Sequence, residues 1–364
     1  MLLVIFGAGA SYDSAPDFAP PQPQAGQQNF GPPPTPPNPR EIWRPPVTPQ
    51  LFLDSNGEFG GIVRNYPKLL PILPHLRRPA SGRSVEEELE AWQAEASGDP
   101  ERKRQLFSIR YYLHDLLLKV STEWLKQTSD VTNYVMLLDQ IRHLNTGNEP
   151  VGLVTFNYDL LLDRALRSFN FNTFPLESYF EAHPTLKLFK PHGSVDWARF
   201  VDVPPNTRLG VDQLIEQADS IKLSDEYLLA NASDPVSIHR FGRPIVPAVA
   251  IPVQTKTEDT FEWPSQHRAY LEELLPSVTK ILIIGWQAKE AHFLKLLREK
   301  LPAGGLTQIT HLQVVGRDTS EAMSISKQFT ADIGRNVKKF HPGSTQGGFS
   351  HFVAQGLVEF FFNY

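Results

Sequence analysis

The chain begins with an apolar run that breaks directly into a glycine-containing turn. Residues 1–6 read Met-Leu-Leu-Val-Ile-Phe, and Gly7-Ala8-Gly9-Ala10-Ser11 follow at once. A short, wholly apolar run predicts a parallel strand that is buried on both faces. Glycines after such a strand allow a sharp turn and a close approach to a pyrophosphate, and the following helix offers N–H groups and a positive dipole end. The stretch therefore predicts an α/β fold with a nucleotide-binding turn.

This turn is an incomplete dinucleotide fingerprint. The full pattern has another small residue three positions after Gly9, where this chain has Tyr12 followed by Asp13. An ordinary strand and turn is therefore the alternative to a nucleotide site.

Composition excludes several classes of protein. A chain of 364 residues is long enough for one large α/β domain with an insertion or for two moderate domains. Its 35 basic and 40 acidic side chains give a net charge of −5, so no whole-chain attraction draws it to nucleic acid or to an anionic membrane. Cysteine is absent, which excludes disulfides, thiol nucleophiles and cysteine-based zinc sites.

No targeting or membrane segment is predicted. No apolar run approaches the roughly 20 residues that span a bilayer, and the N-terminal run is too short for a signal peptide. We expect a cytoplasmic protein without a metal, without direct nucleic-acid binding and without membrane contact.

Two long segments separate the first strand from the next one. Residues 16–49 are crowded with proline and lack apolar periodicity, which excludes a helix or a central strand. They predict a surface loop of polyproline II character, and a recognition arm for a neighbouring subunit is the alternative. Residues 84–147 predict a helical insertion, in which Ser84 and Glu87 form a capping box before apolar residues at spacings of three and four.

The α/β pattern then resumes, and polar or glycine-rich turns follow its strands. Strands are predicted at 151–156, 186–190, 280–284 and 312–315. The turns after them contain Asn157-Tyr158-Asp159, Pro191-His192-Gly193, Gly285-Trp286 and Gly316-Arg317. The carboxyl ends of parallel strands are where open α/β sheets bind ligands. The sequence therefore predicts a Rossmann-like parallel sheet flanked by helices, with a helical insertion after the first strand and one site at its carboxyl edge.

Each of these residues also has a structural interpretation. Asn157 could cap the next helix, and an acid such as Asp159 is expected in a first helical turn on dipole grounds alone. His192 could be a turn residue, Trp286 a core residue and Arg317 a solvated surface residue.

Four motifs, in this order, resemble the bacterial sirtuin-like NAD hydrolases of antiphage defence, of the type associated with HerA. The motifs are Gly7-Ala8-Gly9-Ala10-Ser11 with Pro16-Asp17-Phe18, then Phe156-Asn157-Tyr158-Asp159, then Lys190-Pro191-His192-Gly193-Ser194, and finally Ile283-Ile284-Gly285-Trp286. They are short islands that together extend over most of the chain.

The resemblance implies that NAD is bound as a substrate, without a metal. It implies that Asn157 positions the reacting water or nicotinamide, that Asp159 supports the pocket and that His192 is a general base or a ribose hydroxyl partner. The cofactor-binding residues that it implies are Gly7, Ala8, Gly9, Ala10, Ser11, Asp17, Phe18, Gly193, Gly285, Trp286, Gly316 and Arg317.

The chemistry agrees with these roles. Cleavage of the nicotinamide–ribose bond passes through an oxocarbenium-like centre, so the site needs a polar group that holds water. An asparagine does so without adding charge, and the unperturbed pKa of histidine, about 6.5, suits a base.

Some positions depart from the sirtuin pattern. Sirtuins that act on acyl-lysine carry a zinc module held by four cysteines, and this chain has no cysteine. Ala19, Pro191 and Gln287 stand where arginine, leucine and serine are usual. Protein deacylation is therefore less expected than hydrolysis of NAD.

The expected function is an NAD hydrolase that releases nicotinamide and ADP-ribose and depletes NAD when phage infection activates it. Residues 1–364 are expected to form one catalytic domain, which leaves control to self-assembly or to a partner. The resemblance implies a homo-oligomer with a HerA-type hexameric ATPase as the first candidate partner and a short Argonaute as the second. The alternatives are an ADP-ribosyltransferase or deacylase, and a non-catalytic NAD- or ADP-ribose-binding assembly subunit.

Overall fold

The fold is that of a computed structural model. The structure describes residues 1–18, 20, 41–54, 58–79, 82–204, 209–230, 239–240, 243–253, 261–304, 308–341 and 347–362. Most of the predicted proline-rich loop, residues 19 and 21–40, lies outside the described residues.

The described strands and helices alternate in the way that the apolar runs predict. The strands are β1 (Leu2–Phe6), β2 (Val151–Thr155), β3 (Leu186–Phe189), β4 (Gly193–Val201), β5 (Leu223–Leu229), β6 (His239–Arg240), β7 (Arg243–Val249), β8 (Lys280–Ile284), β9 (His311–Val315) and β10 (Lys339–His341). The helices are α1 (Ala8–Tyr12), α2 (Glu58–Val63), α3 (Leu73–Arg77), α4 (Val85–Glu95), α5 (Pro100–Gln127), α6 (Asn133–Leu144), α7 (Leu161–Arg167), α8 (Ser178–Glu181), α9 (Val211–Glu216), α10 (Ser265–Leu274), α11 (Ala291–Lys300), α12 (Thr319–Ile333) and α13 (Gly348–Ala354).

Within the described ranges, six strands form a parallel sheet in the order β10-β9-β8-β1-β2-β3. Numbered by their order along the chain, these strands read 6-5-4-1-2-3, which is the strand order of the dinucleotide-binding doubly wound fold. Every residue of β1, β2 and β9 is buried, as expected of a parallel sheet that is covered on both faces. The predicted Rossmann-like fold class is confirmed.

A second, antiparallel sheet joins the first one beside the predicted site. Its strands have the order β5-β4-β7-β6. Strand β4 begins four residues after β3 ends, so the chain passes from one sheet to the other through Lys190-Pro191-His192.

The helical insertion lies between β1 and β2, as predicted. The Ser84 N–H donates to Glu87 Oε2 at 2.7 Å and the Glu87 N–H donates to Ser84 Oγ at 3.2 Å, so the predicted capping box starts α4. The apolar stripe of α5, which includes Leu113, Leu116 and Val120, is buried. Most of this stripe belongs to a second hydrophobic core that also takes in Val246 and Val249 of β7. The insertion therefore packs against the antiparallel sheet.

Candidate functional site

The ends of four parallel strands lie side by side and carry the glycine and asparagine turns. Phe6 of β1 is in register with Thr155 of β2 and Ile284 of β8, and Ile284 with Val315 of β9. The residues that follow these ends are Gly7, Phe156-Asn157, Gly285 and Gly316. After β1, the chain adds β2 and β3 on one side of β1. It then crosses to the other side and adds β8. The crevice between β1 and β8 is therefore the topological switch point, where such sheets bind ligands.

Gly7, Gly9 and Gly285 pack two turns against each other at this switch point. The Gly9 N–H donates to the Gly285 carbonyl at 3.0 Å, and the Ala10 N–H donates to the Gly7 carbonyl at 2.9 Å. A Cβ on Gly7 would lie 2.6 Å from the Gly285 carbonyl oxygen, and a Cβ on Gly285 would lie 2.3 Å from the Ala10 nitrogen. Gly285 also has φ +61°, which disfavours a side chain. Glycine is required here for packing of the chain itself, whether or not a phosphate binds.

The side-chain amide of Asn157 joins the ends of β1 and β2. Its Nδ2 donates to the Gly7 carbonyl at 2.9 Å and to Ser11 Oγ at 2.8 Å, and it lies 3.2 Å from the hydroxyl of Tyr134. The Gly7 carbonyl can only accept, so it fixes which branch of the amide is the nitrogen. Asn157 is buried. Its orientation is therefore set by three groups from two other segments of the chain.

Asp159 supports the start of α7. Its Oδ1 accepts the N–H of Leu161 at 3.1 Å, so it is Asp159 and not Asn157 that hydrogen-bonds to this helix. Burial raises the pKa of Asp159, while a hydrogen bond from Ser11 and the charge of Lys190 oppose that rise. Asp159 thus stabilises the start of α7.

A buried ion pair lies behind Asp159. Lys190 Nζ donates to the Asp159 carbonyl at 2.8 Å and to Asp163 Oδ2 at 2.7 Å, and neither side chain of this pair is more than 2% exposed. Tyr179 donates its hydroxyl proton to Asp163 Oδ1 at 2.8 Å. Burial and the charge of Asp163 raise the pKa of Asp196 to about 6. One buried cation therefore faces several carboxyl groups.

His192 lies in the turn between the two sheets and is surrounded by aromatic rings. Its ring centroid is 4.8 Å from that of Phe156, 5.8 Å from that of Tyr158 and 6.2 Å from that of Phe261. Because Phe156 precedes Asn157, the contact brings His192 to the same edge of the sheet as the Asn157 network. His192 therefore contacts the residue that precedes Asn157 in the chain.

Gly193 closes the turn that carries His192. Its N–H donates to the Lys190 carbonyl at 3.0 Å. It has φ +79°, and a Cβ there would lie 1.9 Å from the Ala248 carbonyl oxygen. Gly193 therefore has a backbone role in the junction of β4 and β7.

Glu262 connects the turn of His192 to the helical insertion. Its N–H donates to the Pro191 carbonyl at 3.0 Å. Its carboxylate is 2.5 Å from Arg110 of α5 and 3.2 Å from Arg199 of β4, and its side chain is 3% exposed. An ion triad with a buried carboxylate thus joins three parts of the chain beside the histidine.

Trp286 belongs to the core. Its ring stacks on Phe156 at 5.1 Å with an interplanar angle of 15° and meets Phe293 at 5.8 Å. Its Nε1 donates to the carboxylate of Glu290. The structure therefore places Trp286 in the core, and Phe156 contacts both Trp286 and His192.

Gly316 and Arg317 form a turn whose backbone is hydrogen-bonded to the carboxylate of Glu321. Glu321 Oε2 accepts the Arg317 N–H at 2.6 Å, and Gln287 Nε2 donates to Glu321 Oε1 at 3.0 Å. The Arg317 side chain is 67% exposed and pairs with its neighbour Asp318 at 3.5 Å. It has the solvated position of an ordinary surface residue.

Asp17 and Phe18 lie at the end of the first turn region. Asp17 is exposed, and the Phe18 ring packs at 5.7 Å from Trp124. Arg44 donates to the Tyr12 carbonyl at 2.7 Å and to the Phe18 carbonyl at 2.5 Å, which holds this segment against α1.

A cavity of about 160 Å³ borders the aromatic rings around His192. Phe261 and Phe293 form part of its wall and contact His192 and Phe156 respectively. Neither Asn157 nor Asp159 lines it. It is therefore separate from the switch-point crevice.

Sequence reasoning missed several residues that hold this site. The missed residues are Arg44, Arg110, Tyr134, Asp163 and Glu262. Lys190 belongs to the third sirtuin-like motif, and a lysine at the end of an apolar run is the signal that could have indicated its role. The others have no local signal, because their partners lie far away in sequence.

In the part of the chain that is described, no group of three or more His, Asp or Glu residues could hold a metal ion. No helix in those same ranges is long and apolar enough to cross a membrane.

Comparison with known proteins does not assign this chain to a family. No protein-family model matches the chain, and no curated protein matches it. Among solved structures, it is similar to one described as "The Structural basis of Sirtuin Substrate Affinity", at 12% identity over 99% of this chain and 93% of that chain, with a TM-score of 0.35. That TM-score is too low for the likeness to support a fold or a function.

Proposed function

We propose that this chain binds NAD across the crevice between β1 and β8 and hydrolyses the bond between nicotinamide and ribose. The observation that carries the proposal is the dinucleotide strand order, with the Gly7 and Gly285 turns at its switch point and Asn157 at the adjacent strand end. The four sirtuin-like motifs support NAD over other dinucleotides.

Asn157 is proposed to hold the attacking water. Its amide nitrogen is committed to the Gly7 carbonyl and to Ser11, so its oxygen is the atom that accepts a hydrogen bond from water. The amide brings no charge to the oxocarbenium-like centre. Its fixed orientation lowers the entropic cost of reaching the reactive geometry.

His192 is proposed to accept a proton from that water or from a ribose hydroxyl. Histidine suits this step because its unperturbed pKa is about 6.5. The rings of Phe156 and Tyr158 hold the imidazole in place, and its 6% exposure keeps bulk water away.

Gly9 and Ala10 donate their N–H groups within the chain, so other groups have to bind the pyrophosphate.

Chromatography of nicotinamide and ADP-ribose after incubation with NAD tests the proposal. We expect Asn157→Ala and His192→Ala each to lower the rate by about 10²- to 10⁴-fold. Asn145→Ala and His311→Ala are matched controls and keep the wild-type rate. Asn145 donates to the Glu149 carbonyl just before β2, and His311 is a buried histidine at the amino end of β9. Both controls therefore lie at the opposite edge of the sheet.

Other outcomes identify the alternatives. Unchanged turnover in both site variants means that the site is wrong. Transfer of ADP-ribose to protein, or removal of an acyl group from lysine, favours the transferase or deacylase. NAD binding without turnover, alone and with a candidate partner, favours a binding subunit.

The defence role and the partner rest on the resemblance alone. The proposal is that the protein forms a homo-oligomer, acts in the cytoplasm and depletes NAD during phage infection under the control of a HerA-type hexameric ATPase, with a short Argonaute as the second candidate. Co-expression with each candidate, followed by NAD measurement in infected cells, tests it. NAD levels that do not depend on the partner, on infection or on Asn157 would contradict it.

A further inference from the structure

Tyr134 brings a hydroxyl group from the helical insertion into the Asn157 network. It lies on α6 and is 1% exposed. Its hydroxyl oxygen is 3.0 Å from Ser11 Oγ and 3.2 Å from Asn157 Nδ2. Its ring is held independently, with centroids 5.2 Å from Phe6 and 5.4 Å from Phe349. The ring packing therefore does not depend on the hydroxyl.

The hydroxyl groups of Tyr134 and Ser11 share one hydrogen bond, in which either oxygen can be the donor. Burial raises the pKa of Tyr134 well above its usual value, so the phenol keeps its proton throughout the working pH range.

The Asn157 amide nitrogen has two protons that it can donate to this network. One is donated to the Gly7 carbonyl at 2.9 Å. The other lies between Ser11 Oγ and the Tyr134 oxygen, at 2.8 Å and 3.2 Å from the amide nitrogen. The Tyr134 hydroxyl therefore accepts from Asn157 and also hydrogen-bonds to Ser11.

We propose that Tyr134 is a positioning residue for NAD cleavage, which fixes Ser11 and the plane of the Asn157 amide. The inference rests on the proposed function, because the amide oxygen positions the water. It also means that the helical insertion contributes directly to the site.

Tyr134→Phe removes only the hydroxyl. We expect kcat to fall about 3- to 10-fold, the equivalent of one hydrogen bond, with KM for NAD unchanged. The matched control is Tyr112→Phe on α5, whose hydroxyl is equally buried and donates to the Leu51 carbonyl at 2.7 Å, away from the site. Tyr112→Phe loses one buried hydrogen bond and Tyr134→Phe loses its contacts with Ser11 and Asn157. A fall in kcat for Tyr134→Phe alone identifies a positioning role.

A double-mutant cycle with Asn157→Ala gives a second measurement. If Tyr134 acts through Asn157, adding Tyr134→Phe to Asn157→Ala costs less unfolding free energy, and less kcat, than adding it to the wild type. Additive unfolding free energies, or a wild-type kcat for Tyr134→Phe, overturn the inference.

The two proposals fail in different ways. A wild type that never cleaves NAD overturns the proposed function and, with it, the catalytic meaning of Tyr134, even if the unfolding cycle shows coupling. A wild type that cleaves NAD while Tyr134→Phe behaves like Tyr112→Phe leaves the proposed function intact and overturns the inference alone.

Discussion

The ammonium group of Lys190 lies 2.7 Å from the carboxylate of Asp163, and both side chains are almost completely buried. A buried pair of this kind contributes little net stability, but removal of one partner leaves an uncompensated charge. Lys190 also donates to the Asp159 carbonyl at 2.8 Å, so the pair connects the turn of His192 to the start of α7.

We therefore expect Lys190→Met to lower the free energy of unfolding by about 3–5 kcal/mol. Adding Asp163→Leu should restore most of this loss, because it removes the carboxylate that Lys190→Met leaves without its ion-pair partner. Urea unfolding of the single and double variants checks both expectations. Lys280→Met is the control, since its pair with Glu149 at 3.2 Å is partly exposed, and it should cost less than about 1 kcal/mol. A double variant as unstable as the single one would contradict the prediction.

Gly285→Ala should destabilise the protein for two separable reasons. Its φ of +61° strains any side chain, and a Cβ would meet the backbone of Gly9 and Ala10. Gly334→Ala is matched for the first reason alone, because Gly334 has φ +60° with nothing within 4 Å. We expect Gly334→Ala to cost about 1 kcal/mol and Gly285→Ala about 1–3 kcal/mol more, from crowding. Equal losses in thermal or urea unfolding would show that the two turns do not pack as described.

Asp196→Asn should change the pH dependence of stability. Because the pKa of Asp196 is raised to about 6 in the folded protein, its contribution to stability is full below its ordinary pKa and is lost as the pH rises through about 6. The variant should therefore gain stability relative to the wild type, by about 2 kcal/mol, between pH 4 and pH 7. His267, whose pKa burial lowers to about 4, acts in the opposite sense and is present in both proteins. Urea unfolding of both proteins at several pH values is the measurement, and a constant difference would contradict the raised pKa.

Glu262→Gln should be strongly destabilising, because it leaves Arg110 and Arg199 without their shared carboxylate. We expect a loss of about 3–5 kcal/mol in urea unfolding. Glu216→Gln is the matched control. Glu216 also contacts two basic residues, Lys68 at 3.0 Å and Arg104 at 3.4 Å, but it is 54% exposed, so its loss should stay within about 1 kcal/mol. Similar losses for the two variants would mean that burial of Glu262 has no energetic role.

Much of the fold could be predicted because its signals are local. The run at 151–156 became β2 (Val151–Thr155), and the box of Ser84 and Glu87 starts α4. The site was predictable in part, since parallel strands place their ends at one edge and so bring Gly7, Asn157 and Gly285 together. For Trp286 and Arg317, the sequence could not distinguish a ligand-binding role from a core or surface position, because burial depends on which other segments pack against a residue.

The sequence by itself determined five strands of the parallel sheet, the helical insertion and the glycine turns, since backbone preference and apolar pattern act over a few residues. Only the tertiary structure decided what those turns contact. It placed the Gly9 N–H on the Gly285 carbonyl, and Tyr134 beside Ser11. These partners are separated by more than a hundred residues of chain, and hydrogen bonds and van der Waals contacts act over a few ångströms. Which groups meet at the switch point therefore follows from the packing of the whole chain and from no local pattern.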